Sequence, residues 1–240
     1  MLKIGVPSKG RLREDTFGWF GARGVSMRQS GDAREYAGAV DGIAGVELVL
    51  LSAGEIPREM AAGRVHLGVT GSDMVQDRLA AWHAAVVPLA PLGFGHADLV
   101  IAVPAAWIDV ETVDDLDAAA AAFRATHGHR LRIATKYHRL VREYLTAQGV
   151  ADYALVDSQG ATEGTVKNLT AEAIADITTT GATLRANHLK VLSDPPILSS
   201  EATLYAARRA DWTVALGTLQ TLAGRLGIAL PTLATLPRLA

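Results

Sequence analysis

Short apolar runs alternate with longer amphipathic or alanine-rich stretches along the 240-residue chain. The runs are 2–6 (LKIGV), 47–51 (ELVLL), 65–70 (VHLGVT), 85–90 (AVVPLA), 99–103 (LVIAV), 130–135 (RLRIAT), 154–157 (ALVD) and 173–178 (AIADIT). Each has the length and composition of a strand. The stretches 112–126, 137–148, 182–191 and 202–224 have the length and composition of helices. Strands that alternate with helices predict βαβ units, and so mostly parallel sheets covered by helices on both faces. Eight or more strands are many for one open sheet in a chain of this size, so the pattern predicts two α/β lobes. On this reading residues 1–97 and 192–240 form lobe I and residues 98–191 form lobe II. The run 196–200 (PILSS), followed by a helix, returns the chain to lobe I, and a cleft between the lobes is the expected ligand site.

Composition narrows the class. Hydrophobic residues make up 49% of the chain and charged residues 20%, enough apolar material for a sizeable core. With no cysteine, disulfide staples, thiol nucleophiles and Cys-ligated metal sites are excluded. No apolar run approaches membrane-spanning length, and the start MLKIGVPSKGRLRED is a short apolar run followed by charges, unlike a signal peptide. The expectation is a soluble, cytoplasmic protein with no membrane contact.

Net charge alone misleads. The sum of 23 Lys+Arg and 25 Asp+Glu is −2, which speaks against a nucleic-acid partner. By window the picture differs: residues 1–13 hold Lys3, Lys9, Arg11 and Arg13 without an acid, and residues 124–142 hold Arg124, Arg130, Arg132, Lys136, Arg139 and Arg142, again without one. Residues 109–117 hold five acids and no base. Each island alone reads as a solvated face. Both basic islands, however, overlap strand-to-loop junctions, where open α/β sheets bind small anions.

The densest chemistry lies in AIADITTTGATLRANHL at 173–189. An apolar strand delivers Asp176; Thr178, Thr179 and Thr180 crowd ahead of Gly181; Ala182, Thr183 and Leu184 open a helix. A phosphate monoester needs several short donors converging on one point. Backbone N–H groups at a helix start, threonine hydroxyls and a glycine that permits close approach supply them. Asp176 is placed to accept from ribose hydroxyls or to hold Mg²⁺ beside the phosphates. A threonine-rich strand end in which Thr180 or Thr183 caps the next helix explains the same residues equally well. Neither the dinucleotide fingerprint nor the Walker A loop is present.

Further candidates sit at other junctions. Lys9-Gly10-Arg11 places two cations around a glycine after the first strand, Gly71-Ser72-Asp73 follows another strand, Glu163 follows the run 154–157, and Thr135-Lys136 ends the second basic island's strand. His127 and His129 read as solvated loop residues.

Five segments appear together in a fixed order: KIGVPSKGRL (3–12), EIPREMAAGRVHLGVTGSDMV (55–75), LGFGHADLVIAVP (92–104), RIATKYHRLVREYL (132–145) and GATEGTVKNLTAEAIADITTTGATLRANHL (160–189). They cover nearly the whole chain, and the last is highly specific. The chain thereby resembles the ATP phosphoribosyltransferase family, which opens histidine biosynthesis. The resemblance implies a fold like that of type II periplasmic binding proteins, with two α/β lobes around a central cleft. It implies a phosphoribosyl pyrophosphate site at Glu163, Asp176, Thr178, Thr179, Thr180, Gly181, Ala182, Thr183 and Leu184. ATP contacts fall on Lys9, Gly10, Arg11, Gly71, Ser72, Asp73, Thr135 and Lys136, with Mg²⁺ carried mainly on substrate phosphates. In that reaction adenine N1 attacks C1 of the phosphoribosyl group and displaces pyrophosphate, which requires positioning and charge neutralisation but no protein nucleophile or general base.

Three positions depart from the family pattern: His66, Glu55 and Glu172 stand where Asp is usual. Only the first removes a carboxylate. Long family members append a small regulatory domain, whereas about fifty residues follow the loop here. That resembles the short form, which works with a histidyl-tRNA-synthetase-like regulatory subunit and implies a homodimer or larger hetero-oligomer. The stretch 202–224 and the tail LPTLATLPRLA (230–240) offer apolar surface for such contacts or for lobe packing. Two other readings compete: a type I phosphoribosyltransferase, which normally carries two adjacent acids before its loop where this chain has Ala175-Asp176, and a non-catalytic ligand-binding module of the same fold.

Overall fold

A computed structural model describes residues 1–29, 37–158, 160 and 162–230. Two compact units divide the chain: Met1–Gly95 together with the segment from Glu201 onward, and His96–Ser200. In chain order the first unit holds β1 (Leu2–Pro7), α1 (Gly10–Gly21), β2 (Met27–Gln29), β3 (Ala37–Val40), β4 (Val46–Leu51), α2 (Ile56–Ala61), β5 (Leu67–Gly71), α3 (Ser72–Arg78), α4 (Trp82–Ala85) and β6 (Val86–Pro91). The second unit follows with β7 (Ala97–Pro104), α5 (Val113–His127), β8 (Leu131–Thr135), α6 (His138–Ala147), β9 (Tyr153–Asp157), α7 (Gly164–Lys167), β10 (Ala173–Thr178), α8 (Ala182–Ala186), β11 (Leu189–Val191) and β12 (Leu198–Ser200). The chain then re-enters the first unit as β13 (Ala202–Ala207) and α9 (Leu216–Leu226).

The first unit's sheet runs β2-β3-β4-β1-β5-β13-β6. β1 pairs in parallel with β4 and β5, and Gly5 lies level with Gly68. Successive strand residues point to opposite faces. Leu67 accordingly packs under Leu219, Leu222 and Leu226 of α9, while Gly68 turns toward α2. A Cβ on Gly68 would stand 2.6 Å from both Ile56 Cγ2 and Met60 Sδ, so the close seat of α2 on β5 requires glycine there.

The second unit's sheet runs β11-β7-β10-β8-β9, with β12 also paired to β7. Val100 and Ala102 of β7 pack with Ala134, Ile174, Leu184 and Leu189. The acidic stretch 109–117 turns out to start α5. Thr112 and Asp115 form a capping box, and Asp194 accepts the Val113 N–H at 2.8 Å. Bonds from the Thr112 hydroxyl and from the Glu111 and Thr112 N–H groups hold the Asp115 carboxyl below its usual range. Glu111 binds Lys190 at 2.6 Å.

Several expectations need correction. The sheets are mixed: of the eleven strand pairings among the described residues, four are parallel. The stretch 202–224 is not one helix. Its first part is β13, whose six residues are all buried, so no periodicity marks it as a strand. The stretch 182–191 also splits, since α8 ends at Ala186, His188 adopts φ 57°, and β11 follows. The run 196–200 ends in β12, which pairs with β7 and keeps the chain in the second unit to Ser200; a strand, not a helix, comes next. Most of the apolar tail lies outside the described residues. Among the described residues no helix is long and apolar enough to cross a membrane.

His66 has a structural role. Lys3 N–H donates to its Nδ1 at 3.1 Å, so Nε2 carries the proton and donates to the Asp211 carbonyl at 2.9 Å. The ring also meets Trp212 edge-on at 5.1 Å. The neutral ring thus joins the β1 backbone to the segment before α9. Burial is the main cause that pushes its pKa below the ordinary value. The unfolded chain therefore takes up this proton more readily. The stabilisation is complete above about pH 6.5 and is lost as pH falls through that value toward the folded-state pKa. Urea unfolding from pH 7.5 to 5.5 will show stability falling with pH, and the fall will be shallower in His66→Gln.

Candidate functional site

In parallel sheets the strand ends share one edge, and loops leaving that edge meet the same ligand. In the second unit Thr135 of β8 lies level with Ala175 of β10 and with Asp157 of β9. Lys136 and the chain leading to Glu163 therefore leave the sheet beside Asp176, which stays paired with Val100 of β7. A cavity of about 300 Å³ is lined by Ala97, Glu163, Asp176, Ile177, Thr178, Thr179, Thr180, Ala182, Thr183 and Leu184; Lys136 is not among its lining residues. Every residue expected for the phosphoribosyl loop lines it except Gly181. Ala97 and Ile177 were not foreseen. Ile177 is exposed between two polar neighbours, and Ala97 reaches the site through the pairing of distant strands.

Local bonds shape the loop. The Asp176 carboxylate accepts from Ile177 N–H at 2.8 Å, and Thr178 Oγ1 accepts from Gly181 N–H at 2.9 Å. Thr180 Oγ1 accepts from Ala182 N–H at 3.3 Å, while the Thr179 hydroxyl donates to the His96 carbonyl at 3.0 Å. Gly181 adopts φ 68°, and an ideal Cβ there would sit 2.9 Å from Arg185 Nη1. Leu184, 5% exposed, anchors α8 in the core, and Thr183 is exposed. Gly181 holds the N-cap position of α8 with no side-chain cap bond, so neither Thr180 nor Thr183 caps the helix; Thr178 and Thr180 satisfy loop amides instead. Their O–H protons remain available as donors, because a hydroxyl oxygen can accept and donate at once. Glu163 is held by its surroundings: Ser158 donates to buried Thr162 at 2.9 Å, and the Thr165 hydroxyl donates to the Thr162 carbonyl at 2.7 Å.

The basic islands resolve into two kinds of cation. Arg124 pairs with Asp152, Arg132 with Glu172, and Arg139 with Glu143 at 2.5 Å. Burial pushes the Glu172 carboxyl up, but the Arg132 bonds outweigh it and hold the group below its usual range. These arginines serve the fold, with partners supplied mostly by distant sequence. Lys136 is half-buried and has no acid or acceptor beside it among the described residues. Thr135 is fully buried, and its oxygen accepts the Tyr137 N–H at 3.0 Å, so its side chain braces the turn that presents Lys136.

In the first unit, Lys9-Gly10-Arg11 after β1 and Gly71-Ser72-Asp73 after β5 leave the same edge of adjacent parallel strands. Lys9 and Arg11 are exposed, and Arg11 lies 3.7 Å from Asp15. Gly10 adopts φ 74° in open space, so its backbone conformation is what calls for glycine. Asp73 is buried at the start of α3, and Ser72 Oγ lies 3.4 Å from Glu201 N.

Residues 52–227 match the family described as HisG, ATP phosphoribosyltransferase. An ATP phosphoribosyltransferase of Cereibacter sphaeroides is 75% identical over 96% of this chain and 98% of its own length. One from Afipia carboxidovorans is 49% identical over 88% of this chain, which spans 65% of that longer protein. Among solved structures, the ATP phosphoribosyl transferase (HisG:HisZ) complex from Thermotoga maritima contains a chain similar in fold, with TM-score 0.72 at 18% identity, covering 95% of this chain and 97% of that one. The substrate-binding protein of an amino-acid ABC transporter matches with TM-score 0.50 at 14% identity, covering 94% and 91%. The fold is therefore that of type II periplasmic binding proteins.

Gly181→Ala will destabilise the protein by about 1 kcal/mol in urea unfolding, the cost of a left-handed conformation in a residue with a Cβ. A neutral result would mean that the loop relaxes out of the observed turn.

Proposed function

The chain belongs to the ATP phosphoribosyltransferase family, and from that membership we propose how its residues divide the work of the reaction. The enzyme condenses ATP with 5-phosphoribosyl 1-pyrophosphate to give N1-(5-phosphoribosyl)-ATP and pyrophosphate, the first step of histidine biosynthesis. Adenine N1 carries the lone pair and pyrophosphate is a good leaving group. The protein's task is to hold two polyanions in line and to balance charge as the bond to pyrophosphate breaks.

One observation carries the assignment of roles: Glu163, Asp176 and the threonine loop line a single cavity at a strand edge. The 5′-phosphate of phosphoribosyl pyrophosphate binds in the loop from Thr178 to Leu184, where the hydroxyls of Thr178, Thr180 and Thr183 and the amides at the start of α8 donate. Asp176 and Glu163 accept from the ribose hydroxyls. Lys136, a half-buried cation without an acid beside it, balances the negative charge of the polyphosphates. ATP contacts in the first unit fall on Lys9, Gly10, Arg11, Gly71, Ser72 and Asp73. In the second unit Thr135 acts only by bracing Lys136.

Mg²⁺ fits this site as an ion held chiefly by substrate oxygens. Among the described residues no group of three or more His, Asp or Glu side chains could hold a metal by itself. Asp176, however, keeps a carboxylate oxygen not used by Ile177 and offers the hard oxygen donor that Mg²⁺ prefers. When bound, the ion neutralises pyrophosphate charge.

The enzyme works in the cytoplasm with a histidyl-tRNA-synthetase-like regulatory subunit, in a hetero-oligomer. Two facts support the partnership: the Cereibacter relative has nearly the same length, and the similar Thermotoga structure is a two-protein complex by its name. The binding-module reading rests on fold alone, at 14% identity.

With the partner subunit, ATP, phosphoribosyl pyrophosphate and Mg²⁺, the chain will form phosphoribosyl-ATP, followed by absorbance. Binding of both ligands without product under any partner condition would leave the binding-module reading standing. In the same assay Lys136→Ala will lower kcat/KM by roughly tenfold or more, the loss of one charge-assisted contact, whereas Arg124→Ala will change it little. Thr183→Val will weaken phosphoribosyl pyrophosphate binding by about ten- to a hundredfold in direct titration.

A further inference from the structure

Of the three consecutive threonines in the loop, two bond inward and one bonds outward. Thr178 and Thr180 accept amides of the loop itself, whereas Thr179 spends its hydroxyl proton on the His96 carbonyl at 3.0 Å, 83 residues away in sequence. The position of this bond matters. β10 and β7 pair antiparallel from Ile174–Ala102 to Thr178–Asp98, and there the backbone of β10 turns away into the loop. The next residues in register would be Thr179 and Ala97, and the Thr179 side chain reaches one residue further along that strand's lead-in, to His96.

We propose that Thr179 is a positioning residue of the phosphoribosyl pyrophosphate site and not one of its donors, an inference that rests on the reading of this loop given above. Its proton is committed to a carbonyl, so it has none to offer a phosphate without breaking that bond. Its effect on the ligand passes through the backbone it fixes. α8 has five residues, too short for a strong macrodipole to pull an anion into place. The hydroxyls of Thr178 and Thr180, which accept the Gly181 and Ala182 amides and keep their own protons to donate, must therefore be aimed before the ligand arrives. Leu184 fixes the far end of the loop in the core, and the Thr179 hydroxyl fixes the near end against the start of β7.

The test uses the full chain and compares Thr179→Val, Thr179→Ala, Thr179→Ser and Thr183→Val. Amide hydrogen exchange at Gly181 and Ala182 is measured without ligand, and the dissociation constant for phosphoribosyl pyrophosphate is measured with Mg²⁺. A tether predicts that Thr179→Val and Thr179→Ala speed exchange of both amides by roughly tenfold, the worth of one hydrogen bond. Both variants will also weaken binding, and Thr179→Ser, which keeps the hydroxyl, will restore both readouts. Thr183→Val, as the variant of a donor, will weaken binding and leave exchange unchanged. If Thr179→Val and Thr179→Ala weaken binding with exchange untouched, Thr179 is a direct donor and the tether is overturned. If neither exchange nor binding changes, the tether is overturned as well. Failure of the loop assignment itself looks different: Thr183→Val would then bind normally, and the exchange result would still decide the role of Thr179.

Discussion

The parallel register that sets Thr135, Ala175 and Asp157 level with one another is the constraint on which the site depends. β8 and β9 end at this level and β10 continues to Thr178, so the residues that follow leave the same edge. Glu163 and Asp176 come to line one cavity there, and Lys136 follows the neighbouring strand end. A shift of one residue in β8 against β10 would move Lys136 to another level and turn alternate side chains to the wrong face. The buried side chains that lock the register, Ile133, Ala134, Ile174 and Ala175, are in this sense as much a part of the proposed site as the loop is.

The site was legible in the sequence to a greater degree than the fold that presents it. A run of short donors after an acidic strand end is a local pattern, and the loop from Asp176 to Leu184 lines the cavity apart from Gly181. Ala97 and His96 escaped because they arrive by strand pairing at long range, which no window can register. In the fold, the eight apolar runs all became strands. β2, β3 and β11 were missed since three or four residues are too few to show a period, and the run that holds β12 was assigned to the wrong lobe. β13 was mistaken for helix for the opposite reason, uniform burial. The expectation of parallel sheets failed at β7, which pairs antiparallel with β10, and at β13, which returns from the second unit and pairs antiparallel with β5 and β6.

Charge shows the same limit. Acid-free windows were real, yet Arg124 and Arg132 found Asp152 and Glu172 in the folded chain, so a local count cannot tell a binding cation from a structural one. The acidic stretch turned out to be a helix start with its own electrostatic logic. His66 belongs to this lesson. A residue that looks like a lost carboxylate is a neutral ring with both nitrogens occupied by backbone, and the change alters how two segments are joined rather than what is bound.

The return of the chain into the first unit has a consequence for biosynthesis. β13 lies between β5 and β6 and, among the described residues, is the strand that connects β6 to the rest of that sheet. On the ribosome the second unit, one continuous segment, is complete before β13 emerges. Until then β5 and β6 expose unpaired edges flanking a missing strand, a template for wrong partners. The nascent first unit must therefore wait, vulnerable to aggregation, for residues that follow the whole second unit in the chain. An early stop before Ala202 would leave a finished threonine loop attached to a sheet in two pieces.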